Sequence, residues 1–226
     1  MNIGILGTGM VGRAHAAKLA SLGHDVVIGT RVPARTLALD RSDAMGNPPF
    51  RAWQKENPGV KLAAFAEAAA HGEIVINAVH GAAAVEALKP LERALDGKIL
   101  IDITNPLDFS KGLPPSLFVS NTDSLGEQIQ RALPKTKVVK TLNTMNAMLQ
   151  VDARRLAGGD HHLFVSGNDA PAKARVIALL EEWYGWENTI DLGDITTARG
   201  AEMILPIWVR LWGVLQTPFF NFKIVK

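Results

Sequence analysis

The stretch Ile3-Gly4-Ile5-Leu6-Gly7-Thr8-Gly9-Met10-Val11-Gly12 decides the fold. An apolar run of strand character ends in Gly-x-Gly-x-x-Gly, and an alanine-rich segment over residues 13–22 follows at once with helical character. In such a turn the first glycine permits the bend out of the strand, the second lets the backbone approach a pyrophosphate, and the third lets the helix pack closely on the sheet. The helix N-terminus behind it offers free N–H groups and a partial positive charge. A second strand over residues 24–29 completes a β-α-β unit, so Gly7, Thr8, Gly9, Met10, Val11 and Gly12 read as a dinucleotide-binding turn.

The end of that second strand chooses between dinucleotides. An acid about 20 residues past the glycines would accept from the ribose 2′-hydroxyl of NAD. The chain instead reads Ile28-Gly29-Thr30-Arg31-Val32-Pro33-Ala34-Arg35. A carboxylate would repel a 2′-phosphate, whereas arginine bonds to one with charge assistance, often bidentate. The expected cofactor is therefore NADP, its 2′-phosphate held by Thr30, Arg31 and Arg35.

Further along, a region helical in two pieces over residues 32–57 is broken at Gly46-Asn47-Pro48-Pro49. Strands are expected over 60–64, 73–79, 98–103 and 137–142, with helices over 65–71, 82–95 and 124–133 between them. Apolar runs bounded by turn residues suit buried parallel strands, and this alternation argues for an α/β, Rossmann-type doubly wound parallel sheet. Strands over 162–166 and 189–192 and helices over 170–184 and 198–216 follow. We assign residues 1–147 to the dinucleotide-binding domain and 148–226 to a small C-terminal lobe with a closing apolar helix.

The 226 residues are 47% hydrophobic, enough for a full core, and carry a net charge of +2. Their basic residues are scattered, without the runs or interleaved aromatics of a nucleic-acid surface. There is no cysteine, hence no disulfide and no thiolate metal site, which fits a reducing cytoplasm. No basic n-region precedes an apolar h-region at the start. Residues 203–220 are strongly apolar but carry Arg210 at mid-length, Gln216, Pro206 and Pro218; a central charge is costly in a bilayer, so a helix buried at a subunit or lobe interface is expected and no membrane span. His161-His162 lack a third ligand at metal spacing, and no metal site is expected.

In an open parallel sheet the ligand lies across the carboxyl ends of the strands. That gathers four tips around a nicotinamide: residues 7–12, Val79-His80-Gly81, Thr104-Asn105-Pro106 and Asn143-Thr144-Met145-Asn146. Asn105, Asn143 and Asn146 are candidates to bond a carboxamide or a substrate carbonyl, or equally to cap helices and turns. His80 is either a cofactor contact, a proton donor or a packed loop residue. The tyrosine–lysine pair of short-chain dehydrogenases is absent, because the sole tyrosine, Tyr184, has Asn188 four residues on. Hydride transfer to a ring that delocalises charge needs no protein acid or base, only two rings held face to face.

Gly7-Thr8-Gly9-Met10-Val11-Gly12, Gly29-Thr30-Arg31, Leu142-Asn143-Thr144-Met145-Asn146-Ala147, Asp191-Leu192-Gly193, Ala198-Arg199 and the closing Asn221-Phe222-Lys223-Ile224 together resemble the NADP oxidoreductases that use the deazaflavin coenzyme F-420. The reductase domain of membrane ferric reductases is similar as well. The resemblance implies that Thr8 to Val11 hold the pyrophosphate and Thr30, Arg31 and Arg35 the 2′-phosphate. It also implies that His80, Gly81, Val85 and Ala147 line the nicotinamide side. The strand-tip residues Asn105, Asn143, Met145 and Asn146 are expected on the substrate side. It further implies that coenzyme F-420 or a flavin is co-substrate and that two chains pair as a homodimer. The chain departs from the family on the acceptor side, with His80-Gly81 where a proline is usual and Asn143-Thr144-Met145-Asn146 where a His-Thr-hydrophobe-Pro turn is usual. The leading expectation is hydride transfer between NADP(H) and a deazaflavin or flavin-like acceptor. The rivals are an NADPH-dependent imine or carbonyl reductase and an NADP(H)-binding sensor without turnover.

Overall fold

A computed structural model of the chain describes residues 1–43 and 46–226. Strand β1 (Asn2–Leu6) leads into helix α1 (Met10–Ser21), then β2 (Asp25–Thr30), the short helices α2 (Pro33–Ala38) and α3 (Phe50–Glu56), and β3 (Val60–Ala64). The expected two-piece helical region becomes α2 and α3. The part of it over Ala44 and Met45 lies outside the described residues.

The chain then crosses to the far side of β1. Helix α4 (Phe65–His71) leads to β4 (Ile74–Asn77), and α5 (Gly81–Leu88) with α6 (Glu92–Leu95) leads to β5 (Ile99–Asp102). The single helix expected over 82–95 is interrupted by a 3-10 turn at Lys89–Leu91, where Pro90 supplies no N–H to the helical ladder. A small antiparallel hairpin, β6 (Leu107–Asp108) with β7 (Ser116–Leu117), precedes α7 (Leu125–Ala132) and β8 (Lys137–Thr141).

Residues 148–226, expected as a small lobe, continue the same sheet. After α8 (Ala147–Gln150), strand β9 (Leu163–Ser166) pairs antiparallel with β8, α9 (Ala170–Tyr184) packs on the sheet, and β10 (Thr189–Gly193) pairs parallel with β9. The sheet therefore has eight strands in the order β10-β9-β8-β5-β4-β1-β2-β3. The closing helix is two pieces, α10 (Ala198–Met203) and α11 (Leu205–Leu215), with Pro206 in the first turn of the second.

Side-chain alternation along the strands fills both faces. Ile3, Ile5, Ile76, Ile101 and Val139 join Ala16 and Leu19 of α1 and Val176, Leu179 and Leu180 of α9 in one core. Leu6, Val75, Leu100 and Val138, one residue out of phase, join α4, α5 and α7 in the other. Strands covered on both faces must be apolar at nearly every position, which is why they read as continuous apolar runs. No helix among the described residues is long and apolar enough to cross a membrane.

Candidate active site

The order of the sheet reverses at β1, flanked by β2 and β4, and a cavity of about 570 Å³ opens over the carboxyl ends of the strands there. Gly7, Thr8, Gly9, Met10 and Val11 form its floor. Gly7 has φ +115°, and a Cβ there would stand 2.4 Å from the Ala78 carbonyl oxygen, so only glycine fits. At Gly12 a Cβ would stand 2.0 Å from the Gly7 carbonyl oxygen, because the helix lies directly on the turn. A Cβ at Gly9 would meet no protein atom within 4 Å, and its absence leaves the backbone bare toward the cavity. Helix α1 has no side-chain cap and no acid in its first turn. Its leading N–H groups and dipole therefore face the cavity uncompensated, which suits a pyrophosphate.

Arg13 ties this turn to the segment beyond β2. Its Nε donates to the Thr8 carbonyl at 2.8 Å and its Nη1 to the Pro48 carbonyl, while the guanidinium lies over the rings of Phe50 and Trp53. Burial pulls the guanidinium pKa down, and Asp43 acts in the opposite sense. At the end of β2, Thr30 and Arg31 line the cavity, Arg35 stands exposed on α2, and the Thr30 and Thr36 hydroxyls are 2.9 Å apart. Among the described residues no carboxylate lines this end, so the residues present suit a 2′-phosphate.

The opposite end is walled by Val79, His80, Gly81, Ile103, Thr104, Asn105, Leu107 and Phe109. His80 is the N-cap residue of α5, with its ring centroid 6.5 Å from that of Phe109. Gly81 is forced by the β5 tip, since a Cβ would stand 1.9 Å from the Asn105 carbonyl oxygen. Asn105 and Asn143 are interlocked. Asn105 Nδ2 donates to the Asn143 carbonyl at 2.8 Å, and Asn143 Nδ2 donates to Asn105 Oδ1 at 3.0 Å and to the Ala201 carbonyl at 3.1 Å. Asn105 reaches the cavity, and Asn143 is buried behind it.

The remaining expected residues lie away from the cavity wall. Asn146 caps α8, accepting from the Met148 and Leu149 N–H groups and donating to the Pro218 carbonyl. Met145 belongs to the core beneath α1. Ala147 is buried, and Val85 packs against the core on the α5 side.

Two buried networks support the site. His15 on α1 has Nδ1 2.8 Å from the Tyr184 hydroxyl and Nε2 3.0 Å from Gln150 Oε1. The Gln150 amide nitrogen donates to the Leu142 and Met145 carbonyls, which fixes Oε1 as acceptor. Nε2 of His15 therefore carries the proton and Nδ1 accepts from Tyr184. Burial pulls the His15 pKa down to about 4 and pushes the Tyr184 hydroxyl well above its ordinary value. Gln150 thereby holds Leu142, which sits at φ +59° just before Asn143.

The second network fills the other face below the strand tips. Asn77, Asp102 and Lys140 are register partners across β4, β5 and β8. Lys140 Nζ lies 2.9 Å from Asp102 Oδ2 and 2.9 Å from Glu202 Oε1, and donates to the Thr104 carbonyl. Desolvation opposes the buried ammonium, but the two carboxylates outweigh it and raise its pKa. The motif reading did not single out Asn77, Asp102, Lys140 or Glu202. The available signal was a polar residue ending each of the apolar runs Ile74-Val75-Ile76-Asn77 and Ile99-Leu100-Ile101-Asp102. Among the described residues no cluster of histidine and acidic side chains could hold a metal ion.

A mostly parallel sheet with this turn at its reversal point, arginine in place of the ribose-reading acid, and an apolar-walled far end defines an NADP-dependent oxidoreductase of the doubly wound class. The chain belongs to the family described as NADP oxidoreductase, coenzyme F420-dependent, whose model matches residues 2–106. A solved structure from Arthrobacter sp. FB24, provisionally described as an F420-dependent NADP reductase, is 60% identical, covers 100% of both chains and superposes with a TM-score of 0.94. The F420-dependent NADP reductase of Methanothermobacter marburgensis is 29% identical over 215 residues, 93% of this chain and 92% of that protein. Metalloreductase STEAP3 of Rattus norvegicus is 28% identical over 211 residues, 91% of this chain but 37% of that protein.

Proposed function

We propose that this protein moves a hydride between NADP(H) and a flavin-like ring acceptor, a deazaflavin such as coenzyme F420 or a flavin, and that it does so mainly by positioning. One observation carries the reading: the far wall of the cavity is made of backbone, small and apolar side chains and one amide, with His80 as its lone titratable group among the described residues. Such a wall suits a flat ring and offers a polar substrate no acid–base pair. Bound NADP(H) supplies the hydride chemistry at its nicotinamide.

In this reading the chain's own residues bind and orient. Residues Gly7 to Val11 and the start of α1 hold the pyrophosphate, and Thr30, Arg31 and Arg35 hold the 2′-phosphate. Asn105, clamped by Asn143, fixes the nicotinamide end, and His80 with Phe109 offers a wall for the second ring. The names of the relatives in M. marburgensis and Arthrobacter support a deazaflavin as that second ring. Exposed Ile207, Val214 and Leu215 on α11 support pairing of two chains.

The test is NADPH oxidation followed at 340 nm while deazaflavin coenzyme, FMN, FAD and riboflavin are added separately. Rapid oxidation with one of them is expected; binding of NADPH without oxidation by any would overturn the reading in favour of a sensor or of a reductase acting on another small substrate. His80→Ala separates positioning from acid catalysis. It is expected to cost less than about tenfold in kcat, whereas loss of a proton donor costs roughly 100-fold or more.

A further inference from the structure

The Asn77–Asp102–Lys140–Glu202 layer is more than core filling, because its bonds to Val79 and Thr104 end on two strand tips that border the cavity. Asp102 Oδ1 accepts from Asn77 Nδ2 at 2.9 Å, from the Thr104 hydroxyl at 2.8 Å and from the Thr104 N–H at 3.3 Å. Asn77 Oδ1 in turn accepts from the Val79 N–H at 3.3 Å. Val79 and Thr104 both line the far end of the cavity. Glu202 reaches from α10 to the start of α7, accepting from the Leu125 N–H at 2.8 Å and the Gly126 N–H at 2.9 Å. All three N–H donors of Lys140 are engaged, on Asp102, Glu202 and the Thr104 carbonyl. Two carboxylates thus share one ammonium in a layer from which solvent is excluded, with Asp102, Lys140 and Glu202 each no more than 1% exposed.

A buried ion cluster is seldom kept for stability, since desolvation consumes most of what the pairing returns and apolar packing does as well. A cluster of uneven charge beneath a nicotinamide pocket has a specific consequence. The oxidised ring is cationic and the reduced ring neutral, so an excess of one negative charge in a medium of low dielectric favours the oxidised form. We propose that Asp102, Lys140 and Glu202 are positioning residues that pin the Val79 and Thr104 tips around the nicotinamide and bias the pocket toward NADP⁺. The proposal rests on the cavity binding NADP(H) as inferred above. It does not depend on the identity of the acceptor.

Glu202→Gln is the decisive variant, because it removes one charge with nearly unchanged shape. Dissociation constants of NADP⁺ and NADPH are measured by titration for wild type and variant, with thermal melting alongside. The variant is expected to bind NADP⁺ about fivefold more weakly relative to NADPH than wild type does, the size of a partly screened charge interaction. An unchanged ratio in a folded variant, or equal weakening of both ligands, would show a merely structural cluster and overturn the proposal. If Glu202→Gln fails to fold, Asp102→Asn supplies the same readout with the same expected direction. Failure of wild type to bind either nucleotide would instead refute the functional reading itself.

Discussion

Arg31 is the side chain on which the proposed 2′-phosphate site most depends. It directly follows β2 and lines the cavity, and among the described residues no acid lines the wall beside it. Arg31→Ala is expected to weaken NADPH binding by about 1.5–3 kcal/mol, the range for a hydrogen bond to a charged group, and to leave NADH binding unchanged. Titration of both nucleotides checks it; unaltered NADPH affinity would remove the 2′-phosphate assignment. Gly12 tests the turn itself. In Gly12→Ala the new Cβ meets the Gly7 carbonyl oxygen, a backbone atom that cannot swing aside. The variant is expected to lose about 1–3 kcal/mol in urea unfolding together with its NADPH binding. At this scale the sequence was informative for the placing of Gly7 to Val11, Thr30 and Arg31 on the cavity wall, because that position follows from the strand–turn–helix pattern. It was uninformative for Asn143, Met145 and Asn146, which share one tip but part company in space: Asn143 locks Asn105, Met145 enters the core and Asn146 caps α8.

Helix α1 is held at one end by the glycine turn and in its middle by His15, which bonds to α8 through Gln150 and to α9 through Tyr184. This arrangement predicts that α1 is sensitive to acid. The His15 pKa is about 4 in the folded protein against 6.5 for the free side chain, so the unfolded chain binds a proton over a range in which the folded one does not. The stability His15 contributes is complete above pH 6.5 and is lost as pH falls toward 4, a total of about 3 kcal/mol with about 2 kcal/mol gone between pH 7 and pH 5. Urea midpoints of wild type and His15→Gln at the two pH values test this, and the variant's smaller pH dependence is the expected result. An equal fall in both would place the acid sensitivity elsewhere. The sequence placed α1 correctly by its pattern. It carried no sign that His15 would meet Gln150 and Tyr184, which lie 135 and 169 residues away.

Across the whole molecule the sheet is continuous from β3 to β10, and one core runs from Ile3 through Val139 to Trp186. Trp53 beyond the first β-α-β unit and Trp183 and Trp186 near the C-terminus therefore belong to one packed body. Unfolding by urea is expected to give a single transition, coincident by tryptophan fluorescence and circular dichroism. Two separated transitions would show that residues 148–226 form an independent unit after all.

The sequence by itself determined the dinucleotide turn, the preference for NADP and the doubly wound class, because each depends on short-range features: glycine spacing, the charge at one strand tip and the alternation of apolar runs. Only the tertiary structure decided that residues 163–193 extend the same sheet, with β9 antiparallel to β8. Strand direction is fixed by pairing between distant segments, which local pattern does not encode. It likewise decided which of the strand-tip residues face the cavity, and it brought Asp102, Lys140 and Glu202 within hydrogen-bonding distance below the far end of the cavity. Their meeting depends on strand register and on the path of α10, and no spacing in the chain announces either.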